Sequence, residues 1–448
     1  MSPTDWIADR GRPLAGRVRV PGDKSVSHRA LMLSAIAEGE SRITGFLEGE
    51  DTLATARILG QLGVGISTAT MGERRVSGVG LYGLHGCAEP LDCGNAGTGM
   101  RLLAGLLAGQ PFDSTLVGDA SLSGRPMGRV IGPLQAMGAR IDSNEGRPPL
   151  RIHSNSGLQS IDFNTPVASA QLKSAVLLAG LYARGRTIVR EQPTRDYTER
   201  MLAAFGVPIE FRPGYAAVDG GPRLRATDVD VPADMSSAAF FLVAASLVSG
   251  SDLLLEAVGM NPRRTGLVQA LRLMGASIEE LHPRQQGGEP VADLRVRAAA
   301  LRGIDLPTAL VPDMIDEIPV LMVAAAFAQG PTRIRGASEL RVKESDRLAA
   351  MAAALAALGA GIVEAPDGAD LSGGGGLRGG AVDSRGDHRI AMSMVVAGQC
   401  TAGAVEIADC SNVATSFPGF LDRARDAGME VAPAAASPGR ASVDKIGT

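Results

Sequence analysis

The sequence predicts an α/β protein of two domains, with helices inside and sheets outside. Three observations predict it. The chain has 448 residues, too long for one ordinary core. A helix-like segment ending in an apolar residue, then Gly, then a β-like run recurs along it. A nearly all-apolar helix accompanies each recurrence, and a helix apolar on every side is a buried one.

The Gly motif stands at Leu62-Gly63-Val64, Met137-Gly138-Ala139, Phe205-Gly206-Val207, Met274-Gly275-Ala276 and Leu358-Gly359-Ala360, with a degenerate copy at Ala427-Gly428-Met429. The copies lie roughly 70 residues apart, a period that signals a repeated supersecondary unit. Each Gly suits the left-handed position that ends a helix. Gly ends helices in any α/β protein, but six copies at near-regular spacing are poorly explained by chance. The all-apolar helices are expected over Ala30 to Ala37, Met100 to Ala108, Ala175 to Tyr182, Ala238 to Val248, Val320 to Ala328 and Ile390 to Ala397.

Each of these helices opens on a polar cluster: Lys24, Ser25 and Arg29; Asn95, Thr98 and Arg101; Ser169, Gln171 and Lys173; Asp234, Ser236 and Ser237; Asp313, Asp316 and Glu317; Asp387, His388 and Arg389. Ser, Asn and Asp are ordinary helix caps. Cations are not, because they oppose the helix dipole. Lys24, Arg29, Arg101 and Arg389 are therefore expected to bind a ligand, and free N–H groups at a helix N-terminus favour an anion.

Composition narrows the class. Aromatic residues are only 3% of the chain, so the core must be built from Ala, Leu, Val, Ile and Met. Net charge is −4 with no basic block, which argues against nucleic acid. Cys87, Cys93, Cys400 and Cys410 have no metal or redox spacing and are expected as free thiols in a reducing compartment. The N-terminus lacks the features of a secretion signal, and no apolar run is long enough to span a bilayer. A soluble cytoplasmic protein is expected, without membrane partners. Gly78, Gly80 and Gly83 match a dinucleotide fingerprint, but no helix pattern follows, so a β-turn is expected there. There is no P-loop and no serine elbow, and the histidines show no metal spacing. Gly373 to Gly376 should be a loop, and the tail from Pro433 onward should be disordered.

Polar strings rich in cations remain: Pro21 to Arg29, Gly94 to Arg101, Gly118 to Met127, Ser169 to Ser174, Glu339 to Arg347 and Asp387 to Met392. Any one is an unremarkable solvated loop. Together they supply arginine forks suited to carboxylates and phosphates, with lysines and carboxylates for proton transfer. Such a site handles multiply anionic small molecules.

These strings resemble those of the 5-enolpyruvylshikimate-3-phosphate synthase family, and the resemblance runs from Pro21 to Phe420. It implies a two-domain inside-out α/β barrel of six βαβαββ repeats. One domain would hold both termini, about residues 1–22 with 230–448; the other would be 23–229, with the active site between them. It implies transfer of the enolpyruvyl group of phosphoenolpyruvate to the 5-hydroxyl of shikimate 3-phosphate, through a tetrahedral adduct, with no metal or organic cofactor. Lys24, Ser25, Arg29, Ser169, Ala170, Gln171, Arg195, Asp316 and Lys343 match shikimate 3-phosphate contacts. Lys24, Gly97, Arg125, Gln171, Arg347 and Arg389 match the phosphoenolpyruvate site. Glu344, Asp316 and Lys24 match the catalytic groups, with Glu344 moving the proton at C3. A monomer is expected. The enolpyruvyl transferase acting on UDP-N-acetylglucosamine is the alternative, but its usual loop Cys is missing between Gly118 and Met127. A binding protein without catalysis is argued against by Glu344 and Asp316 both being in place.

Two positions depart from the family's branches. Thr415 stands where some members carry a Lys that contacts phosphoenolpyruvate. Arg125-Pro126-Met127 and Thr415 resemble the glyphosate-tolerant branch, yet that branch typically has Ala where this chain has Gly97, so readier inhibition by glyphosate is expected.

Overall fold

The computed structural model describes residues 5–434. All six expected glycine stops are present. Gly63, Gly138, Gly206, Gly275, Gly359 and Gly428 have φ between 81° and 108°. At each, the following residue donates its N–H back to a helix carbonyl: Val64 to Leu59, Ala139 to Leu134, Val207 to Leu202, Ala276 to Leu271, Ala360 to Leu355 and Met429 to Ala424. This closure satisfies carbonyls that a helix end otherwise leaves unpaired, and it turns the chain directly into a strand.

The buried helices are Lys24–Ala35, Gly97–Leu107, Ala170–Gly180, Met235–Leu247, Ile318–Phe327 and His388–Gly398. They begin before the apolar runs, because much of the polar clusters is helical too. Asp23, Ser169, Asp234 and Asp387 explain four of the early starts: each accepts a first-turn N–H with its side chain.

The strands of the described residues form six sheets. Five have four strands in one pattern, a parallel pair at one edge followed by antiparallel strands. In one, Val229–Asp230 runs parallel to Glu38–Thr44, which pairs antiparallel with Arg74–Val79 and that with Gly65–Thr68. The sixth has three strands, and its parallel partner is reduced to a bridge between Asp305 and Arg333. The chain is thus a mixed α/β protein. Strand Arg74–Val79 ends in a turn in which Gly83 donates to the Gly80 carbonyl, as the sequence implied. Among the described residues no helix is long and apolar enough to cross a membrane.

Buried apolar residues fall into two clusters. One gathers residues between Val26 and Val231, the other residues from Trp6 to Val20 and from Ala233 to Val431. The chain therefore passes between them twice, once before Val26 and once after Val231. The two passages lie side by side: Gly22 and Ala233 form an antiparallel bridge, Asp23 donates its N–H to Pro232, and Asp234 to Pro21. Trp6–Asp9 lies between Val405–Ala408 and Glu430–Pro433 and pairs with both. The expected tail needs correcting here: Pro433 closes a strand opposite Trp6, because that strand's neighbours supply its hydrogen bonds. The rest of the expected tail, 435–448, lies outside the described residues.

Helices Gly97–Leu107 and Ala170–Gly180 approach closely at Gly105. A Cβ there would sit 2.2 Å from the Ala175 carbonyl oxygen. Gly105→Ala should lower stability by about 1–3 kcal/mol or more through overpacking. Urea unfolding of the two proteins checks this, and an unchanged midpoint would contradict the packing described.

Candidate active site

First turns of the buried helices converge on one cavity. Lys24 and Ser25, then Gly97, Thr98 and Arg101, then Gln171 line it from the cluster containing Val26. Ser236, Ser237, Asp316, His388 and Arg389 face them from the other. Loops add Arg125, Arg195, Arg264, Lys343, Glu344 and Ser416, and Arg347 opens the helix Arg347–Ala357. Among the described residues nine basic side chains line the cavity against six acidic ones, an excess of three formal positive charges. That excess favours anionic ligands.

Arg347 is the most deeply placed of these cations, 1% exposed. Its Nε donates to Asp387 Oδ2 at 2.8 Å, Nη1 to Asp316 Oδ1 at 3.2 Å and Nη2 to Glu344 Oε2 at 2.6 Å. Burial disfavours its charge, but Asp387, Glu344 and Asp316 outweigh that and hold it above the usual arginine range. Glu344 also accepts from Arg125 Nη1 at 3.1 Å. Burial pushes its carboxyl upward, yet Arg347 and Arg125 hold it well below the usual carboxylate range. Asp316 meets Lys343 at 3.3 Å and Arg195 at 3.6 Å besides Arg347. Against the upward push of burial, Lys343, Arg389, Arg195 and Arg347 hold it well down.

Lys24 donates to Asp51 Oδ2 at 2.8 Å and to Ser416 Oγ at 2.5 Å. Ser416 lies 3.1 Å from His388 Nε2. Burial first, then Lys24, pushes the His388 ring down to about 3, so it is neutral at physiological pH. Ser416 thus accepts from Lys24 and sits within hydrogen-bond distance of the neutral imidazole. Gln171 is held between Arg101, which donates to its Oε1 at 2.8 Å, and Thr98, which accepts from its Nε2 at 2.8 Å. Arg389 meets Glu317 Oε1 only at 3.9 Å, leaving a guanidinium facing the cavity with little engagement.

A family model described as EPSP synthase (3-phosphoshikimate 1-carboxyvinyltransferase) matches residues 8–424. The chain belongs to the EPSP synthase family. A protein named 3-phosphoshikimate 1-carboxyvinyltransferase from Xanthomonas campestris pv. campestris (strain B100) is 64% identical over 426 residues, 95% of this chain and 97% of that one. Its namesake from Xanthomonas oryzae pv. oryzae (strain PXO99A) is 63% identical over the same share of each. Among solved structures, the EPSP synthase of Acinetobacter baumannii at 2.37 Å superposes with a TM-score of 0.87 at 46% identity, covering 96% of this chain and all of that one.

Most residues that the EPSP synthase resemblance singled out line the cavity. Arg29, Ser169 and Ala170 do not. Arg29 is buried, and its guanidinium donates to Thr198 Oγ1, Ser174 Oγ and the Ser25 carbonyl. Ser169 caps the helix that presents Gln171. Thr415 turns its hydroxyl to the Asn412 carbonyl, and it is Ser416 that reaches Lys24. Sequence reasoning missed Asp51, Arg264 and Ser416. The adjacent arginines Arg263-Arg264 were a usable signal; Asp51 lay in an ordinary acidic helix start.

Asp387 is held below the usual carboxylate range because Arg347 overcomes the effect of burial. Glu344, Asp316 and Asp387 thus have depressed values in the folded state, which then binds fewer protons than the unfolded chain. They contribute stability above an unfolded pKa of about 4, lost as pH falls through the folded values. Asp387→Asn should lose roughly 3 kcal/mol at pH 7, because Arg347 loses a buried partner. Below pH ~4 its stability should fall less steeply than wild type. Urea unfolding across pH checks both, and parallel slopes would overturn the assignment.

Proposed function

We propose that the protein transfers the enolpyruvyl group of phosphoenolpyruvate to the 5-hydroxyl of shikimate 3-phosphate and releases inorganic phosphate. The observation that carries this reading is Glu344 held between Arg125 and Arg347, in a chain belonging to the EPSP synthase family. Phosphoenolpyruvate needs guanidinium forks for its phosphate and carboxylate, and a proton donor at C3; that triad supplies both. The UDP-N-acetylglucosamine transferase reading has no observation in its favour.

Arg125, Arg347 and Arg389 clamp phosphoenolpyruvate, with Gly97 and Gln171 lining the same site. Ser25, Gln171, Arg195 and Lys343 face shikimate 3-phosphate, and Lys24 lies between the two substrates. Arg29, Ser169 and Ala170 stand behind this surface and support it. Glu344 is ionised while both arginines hold it. Substrate anions that take up Arg125 and Arg347 release it, and its proton affinity rises. Glu344 then gives a proton to C3, C2 becomes electrophilic, and the 5-hydroxyl oxygen bonds to C2. Asp316 accepts a hydrogen bond from the attacking hydroxyl, and Lys24 balances charge on the phosphate. From the tetrahedral adduct, Glu344 takes back a C3 proton, the C2–O bond to phosphate breaks, and the C2–C3 double bond re-forms. The hydroxyl proton leaves with phosphate.

The two apolar clusters and adjacent passages support a two-domain inside-out barrel, with 1–22 and 230–448 in one domain and 23–229 in the other. The free state of all four cysteines accords with work in the cytoplasm.

Direct identification of the product from the two substrates tests the activity. Glu344→Gln should lower turnover roughly 100- to 10,000-fold while shikimate 3-phosphate still binds. Calorimetry in buffers of differing ionisation enthalpy should show a proton taken up on ternary binding by wild type and none by Glu344→Gln; an unchanged rate or unchanged uptake refutes the role.

A Cβ at Gly97 would lie 3.0 Å from Arg125 Nη1 and 3.3 Å from Arg101 Nη1, so a methyl there crowds the phosphoenolpyruvate clamp. Glyphosate is longer than phosphoenolpyruvate and should suffer more. Gly97→Ala should need roughly 10-fold more glyphosate for half inhibition, the scale set by one methyl in a filled site. Equal inhibition curves would sink this account.

A further inference from the structure

The two passages between the apolar clusters each carry an aspartate that caps a buried helix. Asp23 accepts from Val26 N and opens the helix bearing Lys24 and Ser25. Asp234 accepts from Ser236 N and opens the helix bearing Ser236 and Ser237. A third carboxylate, Glu317, follows Asp316 and is 1% exposed. Three acidic groups thus meet where little water reaches.

Arg264 stands among them, 5% exposed. Its Nη2 donates to Asp234 Oδ1 at 3.0 Å and to Ser236 Oγ at 2.6 Å. Nη1 is 3.6 Å from Glu317 Oε1, and Nη2 is 4.0 Å from Asp23 Oδ2. Ser236 passes the contact on by donating to Glu317. No role at this position follows from the reaction scheme above.

We propose that Arg264 is a positioning residue for enolpyruvyl transfer: it bridges Asp23 and Asp234 at the two chain passages to Glu317, offsetting part of their charge, and so fixes Lys24 opposite Asp316. The proposal rests on the activity inferred above. A buried arginine that joins three carboxylates holds them close, and without it their mutual repulsion spreads the passages. Lys24 is one residue from Asp23 and Asp316 one residue from Glu317, so any spreading is felt by both.

The groups facing Asp234 support the same account. Burial and then Asp23 raise its carboxyl to about 6, against the opposing pull of Arg264 and Arg389. Tyr197 donates its hydroxyl to Asp23 Oδ2 at 3.0 Å, and Glu317 and Arg389 complete the surroundings. Removing Arg264 leaves an uncompensated carboxylate that protonation relieves.

Arg264→Met should lower kcat/KM roughly 100-fold, with the loss mainly in kcat, the scale expected of a misplacement near 1 Å. Asp234→Asn added to it should restore at least about 10-fold, because Asn still caps the helix but carries no charge. Relative to wild type, Arg264→Met should recover as pH falls, starting above about 6, because about 6 is the Asp234 value with the guanidinium still opposing the rise; the double variant should not. Should Arg264→Met fail to fold, Arg264→Lys keeps the charge but loses the two-armed contact, and a loss weighted to kcat is again expected. Wild-type rates in either single variant overturn the proposal. So does an equal defect in Arg264→Met and the double variant at every pH, which would mean that Arg264 itself touches substrate. Wild type is assayed alongside: no product from it overturns the activity, whereas product from it with an undiminished Arg264→Met overturns only the positioning role.

Discussion

Arg347 keeps its charge in a nearly dry site, and three carboxylates are needed to hold it there. Asp387 is itself buried and caps the helix carrying His388 and Arg389, so that bond is structural. Glu344 and Asp316 are different. Each is shared with cations from the opposite side of the cavity, Arg125 and Arg195 respectively. Their pairing is strong because water is scarce, and it is replaceable because a substrate anion offers the arginines the same kind of bond. In the proposed reaction, substrate binding exchanges one set of ion pairs for another.

That exchange depends on geometry the repeats provide. Each glycine stop turns a helix directly into a strand, and the sheets so formed pack with helices whose first turns reach the cavity. Residues that cap and residues that bind therefore share one turn. Asp23 precedes Lys24, Ser169 lies two residues before Gln171, and Asp387 lies two before Arg389. Backbone N–H groups are satisfied by the caps, and the neighbouring long side chains are left to face the cavity.

Much of this was legible in the sequence. The glycine period gave the units, because left-handed closure leaves a local signature. Unbroken apolar runs gave the buried helices, and cations opposing the helix dipole gave the cavity. What escaped was set by contacts between distant parts of the chain. Arg29 bears the same local signature as Lys24, yet its guanidinium is engaged by Thr198 and Ser174 and is not among the residues lining the cavity. The string before Phe417 drew attention to Thr415, but a short helical turn there presents Ser416 to Lys24 instead. Arg264 lies in a loop marked only by its neighbour Arg263, and its meaning comes from Asp23 and Asp234, which are remote from each other in sequence. Pro433 looked like the start of a tail because its strand is completed by Trp6 at the far end of the chain.

That last pairing bears on how the chain is made. Trp6–Asp9 is made well before its sheet partners and pairs with neither until Val405–Ala408 and Glu430–Pro433 have been synthesised. The apolar cluster between Val26 and Val231 needs nothing beyond residue 231 and is free to condense early. Strand Trp6–Asp9 must instead wait until both of those partners are made. Its charged end, Asp9 and Arg10, and its brevity guard it during that wait, since a short strand with charges is a poor template for association.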